Sequence, residues 1–390
     1  MENRLIIDTT RKLNTLDDLY GIFFEDLNHA ADGGLYAELI QNRSFEFDKI
    51  DNADYHALTA WECVEHDGKA DFHIETADPV SGKNPHYLVI DIRQPGKDVG
   101  ICNTGYNTGI PLKKGETYYF TCFAKRENPE EELEVSLRNR EGKAYAHAVF
   151  RVKADWTKTE LSLVSPVTDT CARLTVTIKG KSSAALDFIS LFPADTYKGR
   201  RNGLRKDLAQ MLEDMHPKFL RFPGGCLVHD GSLDPEDRNS MYRWKNTIGP
   251  LWERPARRNN WGYNQTLGLG FYEYFQLCED VGAKPIPVLP GGYDPHHQRI
   301  APLEKLESWV ADALDLIEFA NGDARTSKWG AVRAELGHEE PFGLEYIAIG
   351  NEEVGTPFFE RYPYFHKAIR DKYPEIKIIN TAGPFAGGGE

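Results

Sequence analysis

From about residue 200 onward, short apolar runs alternate with helical stretches. A chain with that rhythm buries both kinds of element by laying helices over a parallel sheet. Residues 203–215 place Leu204, Leu208, Met211, Leu212 and Met215 on one helical face. Lys218-Phe219-Leu220-Arg221-Phe222 follows as a strand. A helix over about 271–281 stops at Gly282, a residue suited to a left-handed C-cap. Lys284-Pro285-Ile286-Pro287-Val288-Leu289 reads as the next strand, although its prolines fit a strand poorly. A helix over 303–320 ends at Asn321-Gly322. The strand around Ile347, a helix near 364–372 and the strand Ile376-Lys377-Ile378-Ile379 complete the series. Near the start, Leu19-Tyr20-Gly21-Ile22-Phe23-Phe24-Glu25 is a further apolar run and reads as the first strand of the same sheet. Five barrel-type strands result, near Phe23, Leu220, Val288, Ala348 and Ile378. A closed (β/α)8 TIM barrel takes eight.

Between the first two of these strands the pattern is β only. The runs starting at Tyr87, Thr117, Leu133, Leu174 and Leu186 are rich in aromatic and β-branched residues, with turn residues between them. They predict an antiparallel β-sandwich or jelly roll. The fold class is therefore α/β plus all-β, a partial TIM barrel with an inserted β-sandwich. Residues 1–53 form an N-terminal segment with the first barrel strand, 54–195 the sandwich, and 196–390 barrel strands two to five.

The net charge of −14 disfavours nucleic acid, which is gripped by clustered Lys and Arg. A neutral sugar polymer is not repelled. The six cysteines include no CxxC pair, and no Cys/His spacing suggests zinc, so they read as free thiols. No apolar run reaches membrane-spanning length and the start carries no signal-peptide core. Either the protein is cytoplasmic, or it is secreted or periplasmic with its signal already removed.

Polar groups stand at several strand ends. Tyr346-Ile347-Ala348-Ile349-Gly350-Asn351-Glu352-Glu353 is a buried strand ending in an amide and two carboxylates. In a parallel α/β barrel that end carries the chemistry. Neighbours on an extended segment point to opposite sides, so one of Glu352 and Glu353 faces a pocket, and sequence does not choose between them. Glu25 follows the first strand, and Cys226 and His229 follow the second. Each of these could equally be a cap or turn residue. Arg221 precedes Pro223-Gly224-Gly225, a tight backbone turn, and is placed to pair with carboxylates. A thiol nucleophile at Cys226 would need a paired histidine, and the pocket wall is the better reading. Trp261 and Tyr263 lie in a Gly/Asn-rich loop of the kind that lines sites.

The segments Gly21-Ile22-Phe23-Phe24-Glu25-Asp26-Leu27, Gly33-Gly34-Leu35-Tyr36-Ala37-Glu38-Leu39, Arg221-Phe222-Pro223-Gly224-Gly225, Trp329-Gly330-Ala331-Val332-Arg333 and Ile349-Gly350-Asn351-Glu352 together resemble the α-L-arabinofuranosidases of glycoside hydrolase family 51. The branch resembled carries an inserted carbohydrate-binding-like sandwich. The resemblance implies a retaining glycosidase without metal or organic cofactor. It implies Glu352 as general acid/base, Asn351 as a ligand of the sugar 2-hydroxyl, Glu25 as a ligand of sugar hydroxyls, and Cys226 as a sugar contact. Trp261 joins them as a substrate-binding residue. The family's nucleophilic Glu lies on the seventh barrel strand, so this chain is expected to lack it, and Glu390 is not assigned that role.

The function expected is removal of terminal α-L-arabinofuranosyl residues from arabinan or arabinoxylan, with an arabinose-containing polysaccharide or oligosaccharide as partner. Self-association through open sheet edges is also expected, as a homo-oligomer. Two alternatives stand beside it. One is another retaining barrel glycosidase, a β-xylosidase or an endoglucanase. The other is a non-catalytic carbohydrate-binding fragment.

Overall fold

A computed structural model of the chain describes residues 4–234 and 241–381. Glu390 lies outside the described residues. At the centre is a five-stranded sheet of Ile22–Phe23, Phe219–Phe222, Lys284–Leu289, Tyr346–Ile349 and Lys377–Asn380, in that spatial order. Every neighbouring pair is parallel. Chain order and spatial order coincide, so each connection returns over the same layer of helices.

Alternation along the strands sorts the two faces. Leu220 and Phe222 are fully buried and join the large apolar cluster shared with the helices. Phe222 stacks on Tyr274 of helix Phe271–Val281 with centroids 4.8 Å apart, and meets Phe275 edge-on. Arg221, between them, belongs to the opposite face, which carries only a small apolar group of Val228, Val288 and Ala348 with Ile286 against it. A thin inner face leaves space for polar side chains.

Helix Phe271–Val281 closes on Gly282 at φ 69°, the left-handed cap expected there. The helix anticipated over 303–320 is a 3-10 turn, Leu303–Lys305, followed by Glu307–Asn321. Two helical features exceed the sequence reading. Helix Lys328–Glu335 was not foreseen, and the helix placed near 364–372 begins at Thr356 and runs through Pro363. No helix among the described residues is long and apolar enough to cross a membrane.

The β-rich stretch forms two antiparallel sheets. One is five-stranded, in the order Thr157–Val164, Thr117–Arg126, Ala184–Pro193, Tyr87–Gln94 and Lys69–Glu75. The other is six-stranded and centred on Asp169–Ile178, which pairs with Asp98–Asn103, Leu133–Arg138 and Ile110–Leu112. Thr117–Arg126 alternates strictly, burying Tyr118, Phe120, Cys122 and Ala124. These side chains share one apolar cluster with Ile101, Val135, Leu174 and Val176 of the second sheet. Ile40 and Phe45, from before the first of these strands, join the same cluster.

Gly100 shows how closely the six-stranded sheet is drawn together. A Cβ there would lie 2.0 Å from the Val176 carbonyl oxygen on the neighbouring strand. Gly100→Ala is therefore expected to destabilise the protein by about 1–3 kcal/mol. A lowered urea midpoint measures this, and an unchanged midpoint would show that the strands can separate at little cost.

Candidate active site

The C-terminal ends of three parallel strands bring the site together. Glu25 stands two residues beyond Ile22–Phe23, Cys226 four beyond Phe219–Phe222, and Glu352 three beyond Tyr346–Ile349. The strand Lys284–Leu289 lies between the last two.

Arg221 ties the arrangement together. It donates to Asn351 Oδ1 at 2.7 Å and to the Gly224 carbonyl at 3.3 Å, and its guanidinium lies 4.9 Å from the centre of the Phe23 ring. The pairing foreseen with carboxylates is thus mainly a grip on the neighbouring amide. With Oδ1 engaged, Asn351 is 7 % exposed and its Nδ2 has no hydrogen-bond partner among the described residues. A buried, oriented N–H pair of this kind suits a ligand hydroxyl.

Glu25 Oε1 accepts from the Leu227 backbone N–H at 3.3 Å and from Trp261 Nε1 at 3.2 Å. Trp261 itself is 40 % exposed, an aromatic face at the rim. The glycines of the turn are small for a reason. A Cβ on Gly224 would meet Glu25 Cγ at 2.7 Å, and one on Gly225 would lie 3.1 Å from Glu25 Oε2 and 3.5 Å from Asn351 Oδ1. Tyr263, in contrast to Trp261, is buried and donates to the Asp26 carbonyl at 2.6 Å, so it braces the turn rather than lining the site.

The two neighbouring carboxylates separate cleanly. Gly350 at φ 85° and Glu352 at φ 53° break the extended path. A non-glycine residue held there stores about 1–3 kcal/mol of strain. The turn sends Glu352 to the mouth, with its side chain 35 % exposed and Oε2 at 3.4 Å from Cys226 Sγ. Glu353 goes inward, is fully buried, and accepts from the Gly291 N–H at 2.9 Å. Burial pushes the Glu353 carboxyl up to about 8, against backbone N–H groups that lower it.

The imidazole beside Cys226 is His296. Cys226 Sγ is 3.1 Å from His296 Nε2, which also lies 3.4 Å from Glu352 Oε2. Burial and the adjacent Glu352 charge push the thiol up to about 12. A thiol so reluctant to ionise is no nucleophile. His229 stacks on His296 at 5.2 Å, with its Nδ1 3.6 Å from Asp294. Burial alone would raise the Asp294 carboxyl, but hydrogen bonds from His229, Arg299 and His297 outweigh it and hold it far below the usual range. Sequence reasoning missed His296 and Asp294. They reach the site because Tyr293–Asp294 pairs with Arg299–Ile300 in a short hairpin past the third strand.

Beside these groups opens a cavity of about 240 Å³ lined by Arg221, Ala348, Gly350, Asn351, Glu352 and Thr381 among others. A larger cleft of about 690 Å³, bordered by Tyr36, Tyr106 and Arg205, contains none of the site residues.

The family description "Alpha-L-arabinofuranosidase 1 domain" matches residues 211–386, the part that supplies most of this site. An extracellular exo-α-L-arabinofuranosidase of Streptomyces chartreusis is 43 % identical over 97 % of the chain. The chain is a homologue of the α-L-arabinofuranosidases. α-L-Arabinofuranosidase 1 of Arabidopsis thaliana is 38 % identical over 94 % of the chain. A solved arabinose-bound family 51 α-L-arabinofuranosidase superposes with a TM-score of 0.81 at 34 % identity, over 93 % of this chain and 58 % of that one. The arabinofuranosidase homologue described here spans about half the length of these relatives, 46 % of the Streptomyces protein and 53 % of the Arabidopsis one.

Proposed function

We propose that this chain carries the acid/base half of a retaining α-L-arabinofuranosidase that releases terminal α-L-arabinofuranosyl groups from arabinan or arabinoxylan side chains. The observation that carries this reading is Glu352. It lies at the C-terminal end of a parallel strand, half-exposed at a cavity, beside an Asn351 whose amide Arg221 orients. Glu352 donates the proton to the departing glycosidic oxygen and then removes one from water. Asn351 Nδ2 holds the sugar 2-hydroxyl. Glu25 and Cys226 line the ring, and Trp261 covers the rim.

Retention needs a second carboxyl about 5 Å from the first, acting as nucleophile. In this reading that carboxyl comes from a later strand of a (β/α)8 barrel whose first five strands are those described, with residues 54–195 inserted as a separate sandwich domain. The chain of residues 1–390 alone is then expected to show no arabinofuranosidase turnover.

Hydrolysis of aryl α-L-arabinofuranoside against aryl β-D-xyloside, by the protein in its longest natural reading frame, tests the substrate class. Cleavage of the xyloside with no action on the arabinofuranoside would overturn the assignment. The anomeric form of the first-released sugar, read by NMR, tests retention.

The Pro-Gly-Gly turn gives a further check. Gly224→Ala forces Glu25 aside, and arabinose affinity is expected to fall about tenfold, the equivalent of about 1.4 kcal/mol. Calorimetric titration with arabinose measures it, and unchanged affinity would remove Glu25 from the binding set.

A further inference from the structure

We propose that Cys226, His229 and His296 form a binding site for a zinc-class divalent ion. Their ligand atoms lie within 4.8 Å of one another, one sulfur and two imidazole nitrogens. Soft thiolate and imidazole donors together select zinc and its neighbours over magnesium or calcium.

Binding draws these donors, up to 4.8 Å apart, onto the corners of a tetrahedron. Zinc bonds of about 2.0–2.3 Å set donor-to-donor edges of about 3.3–3.8 Å. Cys226 Sγ to His296 Nε2 is 3.1 Å, and Glu352 Oε2 lies 3.4 Å from each of them. Glu352 borders this pair, outside the three-residue group whose ligand atoms all converge. The third donor is His229. This residue is 1 % exposed, and its Nε2 has no hydrogen-bond partner among the described residues. A buried imidazole nitrogen without a partner is costly unless something fills its lone pair.

The outer shell is also in place. Asp294 stands 3.6 Å from His229 Nδ1, placed to become the carboxylate partner that a metal-bound imidazole takes on its other nitrogen. Asp294 is in turn held by His297 Nδ1 at 2.8 Å and Arg299 Nε at 3.1 Å.

Binding exchanges the Cys226 proton for the metal and releases it to solvent. A consequence rests on the proposed function. A cation held by Cys226 and His296 lies beside the Glu352 carboxylate, favours its ionised form and opposes its donating a proton, so metal and substrate work against each other.

Cobalt(II) added to the 390-residue chain tests the site by absorbance. One equivalent is expected to produce a sulfur-to-cobalt charge-transfer band. Cys226→Ser should abolish the band. His296→Ala, on an exposed loop where folding is not at stake, and Asp294→Asn should each weaken binding about 10–100-fold. No band with the unaltered chain, or a band that survives Cys226→Ser through other thiols such as the exposed Cys63, overturns the proposal. The readout is binding, so it stands or falls apart from any result on glycoside hydrolysis.

Discussion

Replacing Glu352 with alanine is expected to slow cleavage of glycosides with poor alcohol leaving groups by about 10²–10⁴-fold. Aryl glycosides with acidic phenols should lose far less in bond cleavage, because their leaving groups depart without a proton. Added azide should restore turnover on those substrates by attacking the glycosyl-enzyme in place of base-assisted water. The comparison belongs in the longest natural form of the protein. Glu353→Ala is the internal control. Its carboxyl is fully buried, while the Glu352 side chain is 35 % exposed beside the cavity. Azide rescue of Glu353→Ala, with none for Glu352→Ala, would shift the assignment by one residue.

Glu353→Gln is expected to change how stability depends on pH. The carboxyl rises from an ordinary 4.5 to about 8, chiefly through burial. The folded state therefore holds a proton that the unfolded chain releases across that window. Stability from this group is full below about 4.5 and is lost as pH climbs through 8. The loss is on the order of 4 kcal/mol. Glutamine keeps an acceptor for the Gly291 N–H and cannot ionise. Denaturant unfolding at pH 5 and pH 8 should find the variant more stable than the parent at pH 8, and nearly equal at pH 5. Parallel pH profiles for the two proteins would show that Glu353 does not titrate as its burial implies. Asp26, which burial and neighbouring Asp32 push up to about 6, adds a slope common to both.

The alternation of apolar runs was enough to read all five parallel strands, because each is short, buried and bounded by turn residues. What escaped was structure whose burial pattern is weak or whose chemistry argues against it. Thr157–Val164 and Trp61–His66 carry charged side chains on an outward face, so their apolar content is low. Helix Lys328–Glu335 is short, with Gly330 and Arg333 its only buried residues. The helix read near 364–372 starts earlier because Phe358, Phe365 and Ile369 are buried on both sides of Pro363, and packing holds the helix through the proline.

At the site, the strand-end residues Glu25, Cys226, Asn351 and Glu352 were legible from position alone. The choice between Glu352 and Glu353 was not, because two left-handed residues, Gly350 and Glu352, decide it. Nor was His296, whose approach to Cys226 depends on a two-residue hairpin 70 positions along the chain.

The high setting of the Cys226 thiol, about 12, has a practical outcome for handling the protein. Burial and the Glu352 charge beside it keep the thiol protonated at neutral pH. Iodoacetamide, maleimides and dissolved peroxide should therefore mark other cysteines long before the pocket is touched. A sulfur atom set among a carboxylate and two histidines would behave toward such reagents almost as inertly as a methionine, and the pocket would outlast the oxidation of its surface.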